Sequence, residues 1–313
     1  MTISISVPPE LNGTSLRNTV RQLGFPTQQT ALLFKSDGVR VDGEFVYPNQ
    51  PVFTEEVLEL SFPGFESNGK KRNNSFPAPE ILYEDEAYII AFKPAGIPTH
   101  PGKKVAETCR DSLETRILNA GYDAHPIHRL DAETQGIVVF ARFPYAQVAL
   151  QKQMTSGTFR KLYEAYLFGT LPARAGFIEA PIERKHRGSY TRIVREDGKR
   201  ALTAYTVLET RTIDGQTISH VLLSPLTGRT HQLRVHMHYL GCPILGDIRY
   251  RTPLSTAFQE AYCIPTLQLN AFRLSVVHPF LNRKLDIQSR PLSDPLWYSD
   301  SPVIPVPGAV PIW

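Results

Sequence analysis

The chain has 313 residues, 42% of them apolar and 20% charged, with a formal net charge of +4. That composition supports a packed core, excludes wholesale disorder, and gives a length suited to one large domain plus a smaller one. No run approaches the roughly 18 to 20 consecutive apolar residues that cross a bilayer, and residues 1–9 lack the basic start and apolar core of a signal peptide. Cys109, Cys242 and Cys263 form no Cys-x-x-Cys pair, so the expectation is a cytoplasmic protein without membrane contact, disulfide framework or structural zinc.

Residues 1–60 read as a small unit. Thr14 or Ser15 is placed to cap a helix through Leu16, Val20 and Leu23 that Gly24 and Pro26 end. A second short helix is expected over 28–35. Residues 39–46 then alternate around Asp42-Gly43, a hairpin signal, and 57–60 close the unit as a strand. Residues 61–79, rich in Gly, Asn, Ser and Pro and carrying Lys70-Lys71-Arg72, read as a linker.

From residue 80 the pattern shifts to longer strands with few helices. Residues 87–92 and 136–141 are short apolar runs with strand character. Over 145–154, Ala146, Leu150 and Met154 recur at helical spacing on a narrow apolar face, and Gly157 is a natural stop. Residues 161–171 return to strand, and 204–211 with 217–223 flank Asp214-Gly215 as a hairpin. Residues 230–240 read as a helix capped by Thr230 and closed by Gly241, with Leu233, Met237 and Leu240 on its buried face and His231, Arg234 and His238 on another. The tail at 296–313 is broken by Pro302, Pro305, Pro307 and Pro311, which exclude a regular helix and leave it extended along the surface. Strands and helices do not alternate regularly, so the expected class is α+β on a large antiparallel or mixed sheet.

Three segments carry candidate chemistry. His128-Arg129-Leu130-Asp131-Ala132-Glu133-Thr134-Gln135-Gly136 runs directly into an apolar strand. A carboxylate there is well placed on a cleft floor, although Asp131 and Thr134 serve a plain turn equally well. Thr227-Gly228-Arg229-Thr230-His231-Gln232-Leu233-Arg234-Val235-His236 leads into a helix start, where Arg234 and the free N–H groups offer a fixed positive charge to hold a nearby aspartate ionised. Taken alone, Arg234 also fits a surface salt bridge. In Lys161-Leu162-Tyr163-Glu164-Ala165-Tyr166, Lys161 and Tyr163 share one strand face and Tyr166 takes the other; a strand tyrosine is ordinarily core. His231, His236 and His238 invite a metal reading, but His231 and His236 point to different helix faces and no acid accompanies them in a His-Glu-x-x-His pattern. Between 183 and 200, seven basic residues (Arg184, Lys185, Arg187, Arg192, Arg195, Lys199, Arg200) face three acids, with Tyr190 interleaved. Such a stretch suits a phosphate backbone with stacked bases; a solvated charged loop fits as well.

In order and wording these segments resemble the RluA-type family of RNA pseudouridine synthases. The likeness also takes in Ile81-Leu82-Tyr83-Glu84-Asp85-Glu86, Lys93-Pro94-Ala95-Gly96-Ile97-Pro98, Gly198-Lys199-Arg200-Ala201-Leu202-Thr203 and Leu240-Gly241-Cys242-Pro243-Ile244-Leu245-Gly246-Asp247. It covers most of residues 80–290 and departs at Gln135, where the family usually has Ser. The first 60 residues resemble a degenerate S4-type RNA-binding module without its strongly basic helix. The resemblance implies a pseudouridine synthase fold with a central cleft, organised as an S4-like module (1–60), a linker (61–79), a catalytic domain (80–295) and a Pro-rich tail (296–313).

It also implies the chemistry. Asp131 would cleave the uracil–ribose bond, attacking C1′ or removing a proton from C2′; the freed base turns and C5 is rejoined to C1′. Arg234 would pair with Asp131, Tyr163 would lie against the uracil and assist loss of the C5 proton, and Arg129 would fill the gap left by a flipped nucleotide. RNA contacts are expected from His128, Arg129, Lys161, Lys185, Arg187, Arg192, Lys199 and Arg229. Isomerisation changes neither redox state nor composition, so no cofactor and no metal are expected. The expected partner is RNA, large-subunit ribosomal RNA first and transfer RNA second, handled by a monomer. The competing readings are a non-catalytic RNA-binding or ribosome-assembly protein on the same fold and a metal-dependent hydrolase built on the histidines. The complete set of Asp131, Tyr163 and Arg234 argues for catalysis.

Overall fold

The computed structural model describes residues 2–23, 27–61, 76–102, 111–295 and 304–305. Most of the expected linker with its Lys70-Lys71-Arg72 cluster, Cys109 and nearly all of the tail lie outside the described residues.

At the N-terminal end, β1 (Thr2–Ser6), α1 (Leu16–Gln22), α2 (Thr27–Lys35), β2 (Val39–Val41), β3 (Glu44–Phe45) and β4 (Val57–Ser61) build a four-stranded antiparallel sheet of order β1-β4-β2-β3. The Asp42-Gly43 hairpin is present, with φ of 49° and 83° at its two turn residues, as a tight turn between twisted strands requires. Ser15 precedes α1 without making a capping bond; Thr14 Oγ1 instead donates to Leu11 O at 2.7 Å. Leu16, Val20, Leu58 and Leu60 are buried in the same apolar cluster as Tyr88, Ile90 and Val139 of the larger sheet.

The larger unit runs β5 (Glu80–Glu84), β6 (Tyr88–Lys93), α3 (Leu113–Asn119), β7 (His125–Pro126), β8 (Gln135–Ala141), α4 (Pro144–Ser156), β9 (Arg160–Phe168) and β10 (Ala175–Glu179). A small hairpin, β11 (Ile182–Arg184) and β12 (Arg192–Val194), precedes β13 (Leu202–Ile213) and β14 (Gln216–Pro225). Then come α5 (Gln232–Tyr239), α6 (Pro253–Ala261), β15 (Leu269–His278), β16 (Arg283–Gln288) and β17 (Ile304–Pro305). The eleven-stranded sheet has the order β10-β13-β14-β9-β15-β8-β6-β5, with β16, β17 and β7 paired to β15, β13 and β8. The fold is thus α+β on a mixed sheet.

Period-two alternation sorts the core. Tyr88, Ile90, Ile137 and Val139 face α4, while Ile89, Ala91, Val138 and Phe140 face α3 and α5. With both faces covered, β6 and β8 read as unbroken apolar runs. α4 ends at Gly157 in the left-handed conformation (φ 77°), as its sequence indicates. Met154 departs from expectation: it is 39% exposed rather than buried beside Leu150, and it reaches the rim of the main cavity. The sequence reading misses α3 and α6, although Thr252 and Ser255 form a reciprocal capping box around Pro253.

The strand pair that positions the site is β8 with β15. Gln135 and Gly136 pair in parallel with Asn270 and Ala271, the one parallel pairing among the described residues. Gly136 has φ 118°, and a Cβ there would lie 2.4 Å from Ala271 N. Only glycine permits that approach. Asp131 stands in the loop immediately before this seam.

Candidate active site

Asp131 lies between β7 and β8, in a turn closed by Thr134 N donating to Asp131 O at 3.2 Å. The backbone alone makes this turn, which leaves the carboxylate free. Thr99 fastens the loop on its other side: Leu130 N donates to Thr99 Oγ1 and Thr99 Oγ1 donates to Leu130 O, both at 3.0 Å. Lys93, fully buried, donates through Nζ to the carbonyls of Pro94 (2.9 Å), Ile97 (2.7 Å) and Ala132 (3.0 Å). Burial pushes its pKa down to about 7, opposed by the carboxylates of Asp131 and Glu133. Nothing in the local sequence around Lys93 indicates this role.

Arg234 projects from α5 and is 1% exposed. Its Nε and one terminal nitrogen donate to Asp247 Oδ2 and Oδ1 at 2.7 and 2.8 Å, a two-point clamp with both partners buried. Asp247 Oδ1 is itself fixed by the amides of Arg249 (2.8 Å) and Tyr250 (2.9 Å). The remaining terminal nitrogen of Arg234 lies 3.5 Å from Asp131 Oδ2 and 3.3 Å from Glu133 Oε2. The arginine therefore turns one edge to a structural carboxylate and the other to Asp131. The expected partner of Asp131 is in place, while Asp247 and Glu133 as partners of Arg234 are findings of the structure. A guanidinium this deeply buried demands a second carboxylate, but nothing local points thirteen residues ahead to Asp247.

The helix carrying Arg234 differs from expectation. It begins at Gln232 rather than Thr230, with His231 at the N-cap in the left-handed conformation (φ 57°) and no side-chain cap. Gln232 folds back instead, accepting from Arg229 N (3.0 Å) and Thr227 Oγ1 (2.7 Å) and donating to Leu202 O (2.9 Å). Residues 232–237 are all buried, so the helix has no solvent face until His238.

Asp131, His231, Gln232 and Arg234 line a cavity of about 580 Å³, together with Lys161, Tyr163, His128 and Arg129. Tyr163 and Lys161 share the cavity side of β9 and Tyr166 packs in a different cluster, as the strand alternation requires. Burial, reinforced by the Asp131 carboxylate, pushes the Tyr163 phenol well up, so it stays protonated. Burial lowers the pKa of Lys161. His128 is 8% exposed and accepts from Val139 N at 3.3 Å; burial, with Lys161 close by, holds it neutral. It therefore forms an uncharged wall of the cavity, not a cation for phosphate. Arg129 is exposed at the rim.

His231 Nδ1 lies 2.8 Å from Tyr250 Oη, and its Nε2 lies 3.9 Å from Asp131 Oδ2. Burial pushes its pKa down, the Asp131 carboxylate opposes this, and Arg234 and Arg249 add to the lowering. His236 is held by Thr203 Oγ1 and Ala180 O, each at 2.9 Å, and His238 is exposed. The three histidines do not converge, and no group of three metal-ligating side chains occurs among the described residues.

The basic segment forms the β11–β12 hairpin. Lys185, Arg187 and Tyr190 stand exposed at its tip, Tyr190 at 81%. Arg184, Arg192, Lys199 and Arg229 border a cleft of about 260 Å³ that shares Gly228, Arg229 and Thr230 with the main cavity. Cations thus continue from the cavity mouth onto the surface. No helix among the described residues is long and apolar enough to cross a membrane.

Comparison with known proteins follows the same outline. Residues 87–239, which include Asp131, Tyr163 and Arg234, match the family described as RNA pseudouridylate synthase. The chain is 35% identical over 202 residues to the "Dual-specificity RNA pseudouridine synthase RluA" of Vibrio cholerae, covering 64% of this chain and 78% of that one. The proteins of the same name from Yersinia pestis and Escherichia coli (strain K12) are 38% and 36% identical over 201 residues, 64% of this chain and 92% and 87% of theirs. Among solved structures, the chain is similar to "Human RNA Pseudouridylate Synthase Domain Containing 1" (TM-score 0.57, 25% identity, 70% of this chain and 86% of that one). It is similar also to "Human RNA Pseudouridylate Synthase Domain Containing 4" (TM-score 0.52, 26% identity, 68% and 88%).

Proposed function

The chain belongs to the RluA-type family of RNA pseudouridine synthases, and from that premise we propose that Asp131 is the carboxylate with which it isomerises uridine in RNA to pseudouridine. The observation that carries this assignment is the placement of Asp131 on the wall of a nucleotide-sized cavity, 3.5 Å from an arginine whose other edge is locked to Asp247. A fixed guanidinium holds the carboxylate in one orientation, as attack on C1′ or removal of the C2′ proton equally needs.

Tyr163 lies against the uracil as a neutral phenol. Lys161, half-buried, adds a second positive charge to the cavity beside Arg234, and Arg129 at the rim takes the space vacated by the extruded nucleotide. Extrusion from a stack costs a few kcal/mol, and cations with stacking groups on the hairpin, Lys185, Arg187 and Tyr190, offset it with Arg192, Lys199 and Arg229 nearer the cavity. The substrate is large-subunit ribosomal RNA, with transfer RNA as a second target; the dual specificity in the relatives' name supports more than one RNA class. The protein acts in the cytoplasm as a monomer without cofactor or metal, with its N-terminal unit as an accessory RNA contact.

The test maps pseudouridines in total RNA by carbodiimide-adduct sequencing, from cells with and without the gene. One or a few sites disappear in its absence and return with the wild type but not with Asp131→Asn. Restoration by Asp131→Asn sinks the assignment of Asp131, and a map unchanged by loss of the gene speaks for RNA binding without catalysis.

A further inference from the structure

We infer that His231 is a positioning residue for Asp131: with Arg234 it holds Oδ2, leaves Oδ1 as the oxygen that reacts, and takes its own orientation from Tyr250. The inference rests on the reading of Asp131 as the catalytic carboxylate.

The hydrogen-bond pattern at Tyr250 fixes the imidazole. Tyr250 is 3% exposed, and its Oη accepts from the amide of Arg192 at 2.9 Å and lies 2.8 Å from His231 Nδ1. Were Nδ1 to donate, the phenolic proton would be stranded without an acceptor in a buried site, which is unfavourable. The Tyr250 hydroxyl keeps both of its hydrogen bonds when it donates to Nδ1, which places the ring proton on Nε2 and turns that proton toward Asp131. That N–H is the one 3.9 Å from Asp131 Oδ2, the same oxygen that Arg234 approaches at 3.5 Å. Asp131 Oδ1 has no hydrogen bond or ion pair among the described residues. The two carboxylate oxygens are therefore inequivalent: Arg234 and His231 both lie toward Oδ2, and neither lies toward Oδ1.

The backbone agrees with this role. His231 adopts φ 57° without providing a helix cap, a left-handed conformation uncommon outside glycine that histidine accepts more readily than most residues. It sets the imidazole edge-on to the Tyr250 ring, with centroids 5.6 Å apart and planes at 75°. The other face of the arrangement is electrostatic, with the Arg234 guanidinium 5.2 Å from the centre of the Tyr250 ring. Tyr250 thus touches both groups that hold Oδ2. Through Arg192, the first residue of β12, it also ties them to the basic hairpin.

The test uses single-turnover tritium release, with full-length enzyme in excess over bulk RNA labelled at uracil C5 and taken from cells lacking the gene. Varying the enzyme concentration separates the maximal rate from half-saturation. His231→Asn retains a residue that accepts the left-handed backbone, and Tyr250→Phe keeps the ring beneath Arg234 while removing only its hydroxyl. Each lowers the maximal rate about 10- to 100-fold, the range expected for a misplaced reacting group. For His231→Asn half-saturation changes by less than about twofold, because the cations outside the cavity are untouched; Tyr250→Phe also removes the acceptor of the Arg192 amide and is judged on the maximal rate. Tyr250→Phe lowers the maximal rate no further in the His231→Asn background, since its hydroxyl reaches Asp131 only through that ring. A wild-type rate for His231→Asn, losses that add, or an effect confined to half-saturation overturns the inference; a merely structural role gives additive losses. The two substitutions perturb different elements, so a folding failure in one leaves the other as the test. Asp131→Asn run in parallel separates the two readings: its turnover refutes the catalytic carboxylate itself, whereas its inactivity beside an unimpaired His231→Asn refutes only the role of His231.

Discussion

A buried guanidinium acts as a directed object, because its five donors lie in one plane and every one must be aimed. In Arg234, Asp247 takes two of those donors and thereby dictates where the third nitrogen points. Asp247→Asn breaks the clamp while keeping its shape. Turnover is expected to fall about 10- to 100-fold through misorientation of Asp131, and stability by about 3 kcal/mol because the arginine stays buried with one partner weakened. Glu133→Gln leaves the clamp intact and changes turnover by less than about threefold, its carboxylate being partly exposed. Tritium release and thermal melts of the two variants check both statements. An Asp247→Asn enzyme with unaltered rate contradicts the idea that the clamp aims Arg234.

At the scale of elements, the β11–β12 hairpin and the seam between β8 and β15 divide the work. The hairpin carries exposed cations, and on the proposed reading they meet phosphates in a screened environment, so their contribution is electrostatic and salt-dependent. Substituting Lys185 and Arg187 with alanine weakens RNA binding and lowers the slope of log affinity against log salt by about 0.7 for each phosphate left without a cation. The maximal single-turnover rate is unchanged, since both residues stand at the exposed tip of the hairpin. A weaker affinity with an unchanged slope would show that they do not face phosphate. The four-stranded N-terminal sheet is different in kind: residues 1–60 hold four basic and seven acidic side chains. Any RNA contact there draws on exposed aromatics such as Phe45 and Tyr47, which meet edge to face with centroids 5.2 Å apart, more than on net charge.

Across the whole molecule, the chemistry sits at one end of the central strands and a separate fastening at the other. Lys93 closes β6 near the cavity, where Leu269 opens β15. At the opposite end Asp85 meets His278, with Nε2 2.9 Å from Oδ2. Burial pushes the Asp85 carboxyl up, but hydrogen bonds from His278, Tyr83 and the amides of Ala87 and Tyr88 outweigh it and hold the pKa down at about 2, against an ordinary 3.8. A carboxylate with a depressed folded pKa stabilises the fold above its unfolded value and loses that contribution as pH falls through the folded one. The melting temperature of the wild type is therefore expected to drop between about pH 4 and pH 2 more steeply than that of Asp85→Asn, which lacks the titrating group. Parallel pH dependences in this window would rule Asp85 out as the source. The same long-range character explains what the sequence could reveal. The Asp131 loop, the two faces of β9, the Asp42-Gly43 and Asp214-Gly215 turns and the Gly157 stop are local patterns and are readable as such. Asp247 beside Arg234, Lys93 beneath the Asp131 loop and Tyr250 against His231 exist only after distant segments meet. The start of α5 misleads because Thr230 has the right chemistry for a cap, while the Gln232 side chain takes the loop amide instead.

The parallel seam at Gly136 also bears on how the enzyme comes into being. Residue 131 and the strand after it are made early, but their neighbour β15, which lines the cavity through Leu269, belongs to the last part of the sheet. In a growing chain the basic hairpin is therefore made before β15 can complete the cavity wall, and such non-local pairing is slow to form. On the proposed reading, the capacity to hold RNA then precedes the capacity to alter it.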